Sequence, residues 1–222
     1  MTLSSPWLML ALTLCLLLAY LLYMMLSPKH GKQQMAWRAH AQLRDDWFDA
    51  VSAHSGSEIL AVQTLRNSLM SATMTASTAA LGLVGSVTLA APSLQPLMTP
   101  DASGAGVAGV LDHLTPRLML ELTLLLLLMA SLVASAVAIR FYNHASIIVA
   151  LPVGCDARQR WTASGKSHLR RAGMLYSWGL RYMVLVSPVL AAIVEPLAGP
   201  VAALVVVGIL LNFDGVHAEP ST

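Results

Sequence analysis

Four long apolar segments dominate this 222-residue sequence and limit what the chain can fold into. They run over Pro6–Leu26, Leu60–Ala91, Leu118–Leu151 and Gly173–Phe213. About 20 apolar residues in a helix are enough to cross the ~30 Å hydrocarbon core of a bilayer. Only 11% of the residues are charged, whereas soluble domains have about a quarter. The sequence therefore predicts an all-α, polytopic membrane helix bundle that forms a single domain over residues 1–222.

The fourth segment is long enough for two helices and contains a break. The sequence EPLAGP, from Glu195 to Pro200, places two prolines and a glycine beside an acid, which favours a tight turn. The alternative is four spans followed by a re-entrant C-terminal arm. We expect five transmembrane spans, at about 6–26, 60–91, 118–151, 173–194 and 197–213.

Lysine and arginine are distributed unevenly between the connections, which predicts the orientation of the chain. The connections 27–59 and 152–172 carry nine of these residues, and the connection 92–117 carries only Arg117. Basic residues concentrate on the cytoplasmic side of a membrane. We therefore expect an inner-membrane protein with a periplasmic N-terminus, cytoplasmic basic connections and a cytoplasmic C-terminus. The first apolar segment lacks a basic start and a cleavage site, so we expect an uncleaved span rather than a signal peptide.

The first basic connection has apolar residues at helical spacing. Such spacing predicts an amphipathic helix over about 34–52, lying on the inner leaflet or against the bundle. Its apolar positions are Ala36, Ala39, Leu43, Trp47, Ala50 and Val51, and its polar positions are Arg38, Gln42, Asp45 and Asp49.

Arginines stand near the expected cytoplasmic ends of three spans, each with polar residues on the same helical face. Residues three or four positions apart lie side by side on a helix. We expect the three resulting groups to lie at one depth. The groups are Gln63, Arg66 and Asn67 on the second span, Arg140, Asn143 and His144 on the third, and Ser177, Trp178 and Arg181 on the fourth.

Two interpretations of these arginines stay open at this point. An arginine cluster with few carboxylates suits an anion, such as a lipid headgroup phosphate, which accepts paired hydrogen bonds. Alternatively, each arginine extends to lipid phosphates or binds the carbonyl end of a neighbouring helix. Side chains that face the bundle interior would favour the first interpretation.

Several stretches also occur in a recognisable order. They are MAWRAHAQLRDDWFDAV, ILAVQTLRNSLMSATMTASTAAL, AIRFYNHASIIVALP and the long segment that begins MLYSWGLRYMVLVSP. Together, from about Met35 to Asp214, they resemble the family of predicted bacterial and plant membrane proteins termed domain of unknown function 599. The stretches AVQTLRNSLMS and RFYNH are the most specific. The resemblance implies a multi-pass membrane protein and implies no particular activity.

No motif points to catalysis or to a cofactor. The seven histidines lack metal-ligand or haem-pair spacing, and the two cysteines form no CxxC motif. We therefore expect no catalytic residues, no metal and no cofactor, and the net charge of +2 gives no reason to expect nucleic acid.

The most economical function is a non-enzymatic structural or accessory protein of the membrane. Its expected partners are anionic lipid headgroups, a second copy of the chain or another membrane subunit. Small residues between Ser71 and Ser86 suit close helix packing within the bundle, with contact to a second copy or a partner subunit as the alternatives. A small transporter or channel for an anion is the alternative, and an enzyme acting in the membrane plane comes third.

Overall fold

The computed structural model describes residues 5–26, 32–98 and 114–214 and is built from helices. Four of the described helices are long and apolar enough to cross a membrane, namely Pro6–Leu26, Glu58–Gln95, Pro116–Ala150 and Asp156–Val194. This confirms the predicted all-α membrane helix bundle. In chain order the helices are α1 (Pro6–Leu26), α2 (Lys32–Ala53), α3 (Glu58–Met98), α4 (Pro116–Ala150), α5 (Asp156–Val194) and α6 (Ala198–Asp214).

The helix α5 is much longer than the predicted span at 173–194. It begins at Asp156, so most of the expected basic connection 152–172 is helical rather than a loop. Hydropathy identifies only the part of a helix at membrane level, whereas the arginines, lysine and alanines that precede it are themselves good helix formers. The amphipathic helix is present as α2, although the side chains of Ala36 and Ala39 lie outside the described part of the chain.

Two ends of the bundle can be distinguished. Pro6, Pro116 and Pro196 border one cavity of about 290 Å³, so α1 and α4 begin where α5 ends. We call this the proline end. The 21 residues of α1 cover about 31 Å. The same distance from the proline end reaches only about residue 136 of α4 and residue 174 of α5. The parts of α4 and α5 beyond these residues project past the end of α1. Together with α2 they form what we call the basic end.

Two clusters of buried apolar residues hold the bundle together. The membrane-level cluster joins α1, α4, α5 and α6, and Leu124 and Leu185 are among its most buried members. The basic-end cluster joins α2, α3, α4 and α5 around Phe48, Leu65 and Val149. The helix α4 contributes to both clusters and contacts α3 and α5 extensively.

Small residues set the register of α4 against its neighbours. The Ser131 hydroxyl donates a hydrogen bond of 2.8 Å to the carbonyl of Gly179 on α5. A β-carbon at Gly179 would come within 2.6 Å of Ser135 Oγ, and one at Gly82 on α3 would come within 3.0 Å of Leu128 Cδ2. Both pairs of helices therefore pack closely, as small interface residues allow in lipid.

The helix α6 runs alongside α1. A β-carbon at Gly199, the second residue of α6, would lie 2.7 Å from Thr13 Oγ1, so α6 begins about two turns further from the proline end than α1 does. Leu26 is thirteen residues after Thr13 and Asp214 is fifteen residues after Gly199, so the two helices end at about the same level. This geometry favours a fifth span over a re-entrant arm, and the 17 residues of α6 are at the lower limit for spanning.

Candidate functional site

The helix α2 is fixed to the basic end by apolar and ionic contacts. Phe48 is completely buried, and a β-carbon at Gly165 of α5 would lie 2.4 Å from Phe48 Cζ. Lys166 Nζ lies 2.6 Å from the carboxylate of Asp49. Arg170 and Asp45 form a second ion pair between α5 and α2. The polar face of α2 is thus partly occupied by α5.

A groove of about 560 Å³ opens between α2, α3, α4 and α5. Because Tyr142 lies about six residues beyond the level of residue 136, the groove belongs to the basic end of the bundle. Hydroxyl and amide groups line its α3 side, and aromatic rings line the other sides. The lining residues are Leu43, Arg44, Trp47, Thr64, Leu65, Asn67, Ser68, Ser71, Tyr142, Leu169 and Tyr176.

Arg44 is the charged residue of this groove. A β-carbon at Gly173 would come within 2.4 Å of Arg44 Cζ and 2.7 Å of Nε and Nη1, so the guanidinium lies directly on the α5 backbone. The Tyr142 phenol is within electrostatic range of both Arg44 and Tyr176. The guanidinium forms no ion pair within the described ranges, because Asp45 and Asp49 are paired with α5. A half-buried cation with unused donors suits an anion.

The predicted site residues lie in different environments. Gln63, Arg66 and Asn67 are exposed on α3, and only Asn67 lines the groove. On α4, Arg140, Asn143 and His144 are exposed. On α5, Ser177, Trp178 and Arg181 are half-buried. Arg181 donates to Ser177 Oγ at 2.5 Å, and its guanidinium lies 5.6 Å from the Trp178 ring centroid.

The three arginines do not share one level, which differs from the sequence expectation. Arg140 is nine residues from Ser131 toward the basic end, and Arg181 is two residues from Gly179 toward the proline end. At 1.5 Å per residue, these two arginines are about 16 Å apart along the bundle. Gly82 of α3 lies against Leu128 of α4, and counting sixteen residues from each toward the basic end places Arg66 level with His144, within about one turn of Arg140. Hydropathy predicts only where each span approximately ends. The relative level of residues on neighbouring helices depends on the contacts of Ser131, Gly179 and Gly82.

Arg158 binds the carbonyl end of a neighbouring helix, a role that the sequence suggested for Arg66, Arg140 and Arg181. It is buried, and its Nη1 donates to the carbonyls of Ile148 (3.2 Å), Leu151 (2.8 Å) and Val149 at the end of α4. Its Nη2 donates to Ser52 Oγ at 3.1 Å. The last carbonyls of a helix lack intrahelical partners and carry partial negative charge, so Arg158 stabilises the junction of α2, α4 and α5.

Sequence reasoning missed the central position of Arg44, although a signal was present. Trp47 and Phe48 follow it by three and four residues, which places this arginine on the apolar face of α2. The hydroxyls of Thr64, Ser68 and Ser71 recur at the same spacing on α3, and Asn67 lies between them.

No arrangement typical of a metal centre occurs in the described ranges. They contain no group of three or more histidine, cysteine or acidic residues placed to hold an ion. Cys15 and Cys155 are free thiols.

Comparison with known proteins identifies one family. The family model described as protein of unknown function, DUF599, matches residues 8–218. No curated protein and no solved structure matches the chain. The matched region includes the six helices of the described residues, apart from the first two residues of α1.

Proposed function

The chain belongs to the DUF599 family, and from the geometry of its groove we propose that it binds the anionic headgroup of a membrane lipid. In this proposal it is a non-enzymatic structural or accessory protein of the inner membrane. Its basic end lies in the cytoplasm, so the groove opens at the inner leaflet.

The single observation that carries the proposal is the placement of Arg44. The guanidinium is held against Gly173, at the boundary between the membrane-level part of the bundle and the basic end, beside tyrosine, serine and asparagine side chains. Guanidinium groups form paired hydrogen bonds with phosphate, and hydroxyl and amide groups can satisfy the remaining oxygens.

The packing on the side of the groove that faces the proline end favours a binding site over a passage for anions. Ala138 of α4 lies about one turn closer to the proline end than Tyr142, and Ala72 of α3 follows Ser71 by one residue in the same direction. Both alanines are completely buried in the basic-end cluster. A ligand in the groove therefore meets closely packed helices on that side.

The experiment compares lipids retained by the purified protein. We expect the wild-type protein to retain phosphatidylglycerol in preference to phosphatidylcholine during detergent extraction, measured by mass spectrometry. Arg44→Gln should reduce this retention several-fold. Arg160→Gln removes an exposed positive charge from the same end of the bundle and serves as the matched control.

Equal phosphatidylglycerol retention by Arg44→Gln and wild type would overturn the proposal. Reconstituted vesicles test the transporter alternative separately. A binding protein gives no chloride or phosphate flux above that of empty vesicles, whereas flux that depends on Arg44 would favour transport.

A further inference from the structure

A second cationic group lies on a face of α4 and α5 outside the groove. The ring centroids of His144 and His168 are 5.4 Å apart, and His168 also stacks on Phe141 at 5.5 Å. The Arg171 guanidinium lies 6.0 Å from the Phe141 centroid. None of these four residues lines the groove. We call His144, His168, Arg171 and the neighbouring Arg140 the His–Arg cluster.

The charge of the His–Arg cluster is not compensated within the described ranges. Arg140 precedes His144 by four residues, so the two share one face of α4. Neither Arg140 nor Arg171 forms an ion pair with a described residue. Asp45 and Asp49, the acids that α2 brings to α5, are paired with Arg170 and Lys166.

The two histidines provide hydrogen-bonding groups that the fold leaves unused. His168 Nδ1 is buried and has no hydrogen-bond partner among the described atoms, and the His144 ring is exposed beside it. When protonated, each imidazole has two N–H donors. The adjacent guanidinium groups disfavour a metal cation at this position by charge repulsion, whereas they favour an anion.

We propose that the His–Arg cluster binds a phosphate group and takes up a proton as it does so. Arg140 and Arg171 supply permanent positive charge, and His144 and His168 supply donors that depend on protonation. The ligand is either free phosphate or the phosphate monoester of a lipid such as phosphatidic acid, because the cluster lies near the level of the groove and is also open to solution.

Proton uptake follows from the spacing of the charges. Burial, and then the neighbouring His144 and Arg171, hold the pKa of His168 below the ordinary histidine value of about 6.5, because a positive charge on this buried ring is poorly solvated and lies next to the Arg171 cation. A bound phosphate compensates these charges, so it favours the protonated rings. Since binding then consumes a proton, affinity increases as pH falls through the histidine range. The other charges around His168, those of Lys166, Arg170 and their α2 partners, are already paired.

The experiment measures binding of inorganic phosphate to the protein in phosphatidylcholine nanodiscs by calorimetry. Phosphate takes up a proton of its own in this range, so the affinity is expressed for the phosphate dianion. We expect this affinity to rise by about tenfold between pH 7.5 and pH 5.5, with proton uptake by the protein revealed by the dependence of the heat on the buffer after the ligand's own protonation is subtracted. Arg171→Gln should abolish binding, and His144→Gln should reduce its pH dependence. Arg160→Gln should leave both unchanged, because it removes an exposed charge outside the cluster. The same titration in the Arg44→Gln background excludes any phosphate bound in the groove and so separates this cluster from the groove.

A second arm identifies the source of the phosphate. Nanodiscs containing phosphatidic acid should bind less inorganic phosphate if the lipid occupies the cluster, and an equal amount if the ligand is a soluble phosphate. Both results are consistent with a phosphate site. The proposal is overturned if phosphate does not bind in phosphatidylcholine nanodiscs, if binding is independent of pH, or if Arg171→Gln binds as wild type does.

Discussion

The guanidinium of Arg44 and the backbone of Gly173 are in direct contact, with the position of a β-carbon on residue 173 only 2.4 Å from Arg44 Cζ. The contact joins the amphipathic helix α2 to the point where α5 enters the membrane-level part of the bundle. Glycine at position 173 therefore determines where the cation of the groove can lie.

Gly173→Ala should reduce lipid retention although it changes no charge. The added methyl group displaces the guanidinium, because all three nearest atoms belong to it. We expect a several-fold loss of phosphatidylglycerol, measured as for Arg44→Gln. Gly85→Ala is the control, since Gly85 is also helical and a β-carbon there meets no atom within 4 Å. Unchanged retention in Gly173→Ala would show that the position of Arg44 is not critical.

Gly165→Ala should loosen α2 from the basic end. Its methyl group would overlap the Phe48 ring, which is completely buried, and overpacking of this kind costs about 1–3 kcal/mol. Limited trypsin digestion measures the effect, because a detached α2 exposes Arg44 to cleavage. Gly208→Ala meets no neighbouring atom and should digest at the wild-type rate. Equal rates for both variants would contradict the prediction.

Arg158→Met should destabilise the junction of α2, α4 and α5. It removes hydrogen bonds to the end of α4 and to Ser52 while retaining an apolar stem, and bonds that involve a charged group contribute about 1.5–3 kcal/mol. Thermal unfolding in detergent should show a Tm several degrees lower. Arg160→Met, two residues along α5 and exposed, should keep the wild-type Tm; a matching decrease there would mean that charge alone matters.

Gly179→Ala should destabilise the α4–α5 interface more than Ser131→Ala. The serine substitution removes one interhelical hydrogen bond, which in membranes contributes about 0.6 kcal/mol. The alanine at 179 would place a β-carbon 2.6 Å from Ser135 Oγ and force the helices apart. Unfolding by a denaturing detergent ranks the two variants, and the reverse order would be inconsistent with the close packing.

Cysteine labelling tests the orientation. With Cys15 and Cys155 replaced by serine, Ala53→Cys at the end of α2 and Glu195→Cys between α5 and α6 provide exposed reporters. In intact cells, a membrane-impermeant maleimide should label only the Glu195→Cys protein, because the proline end is proposed to face the periplasm. Labelling of the Ala53→Cys protein alone would show that the orientation is the opposite of the proposed one.

The helices themselves could be predicted because hydropathy and charge act locally. Pro6–Leu26 was identified to the residue, and α2 differs from its prediction by only a few positions. The lengths of α3 and α5 were underestimated, since helical sequence outside the membrane carries no hydropathy signal.

The candidate site depended on contacts between helices, which a local pattern does not give. Arg66, Arg140 and Arg181 each have polar neighbours on the same helical face, but they do not lie at one level along the bundle. The reason is that the contact between Ser131 and Gly179 sets the register of α4 against α5. Arg44 became central only because Gly173 leaves space beside it. Of the nine predicted site residues, Asn67 lines the groove, while Arg140 and His144 belong to the His–Arg cluster.

The membrane-level cluster and the basic-end cluster are stabilised in different solvents, and this difference determines which part of the protein unfolds first. At membrane level, lipid tails are as apolar as leucine, so Leu124 and Leu185 are held by shape and dispersion rather than by exclusion of water. Around Phe48 and Leu65, water is excluded in the ordinary way. Urea, which weakens the second force, should therefore melt the basic end while the lipid-embedded helices persist, and no single free energy of unfolding describes the whole chain.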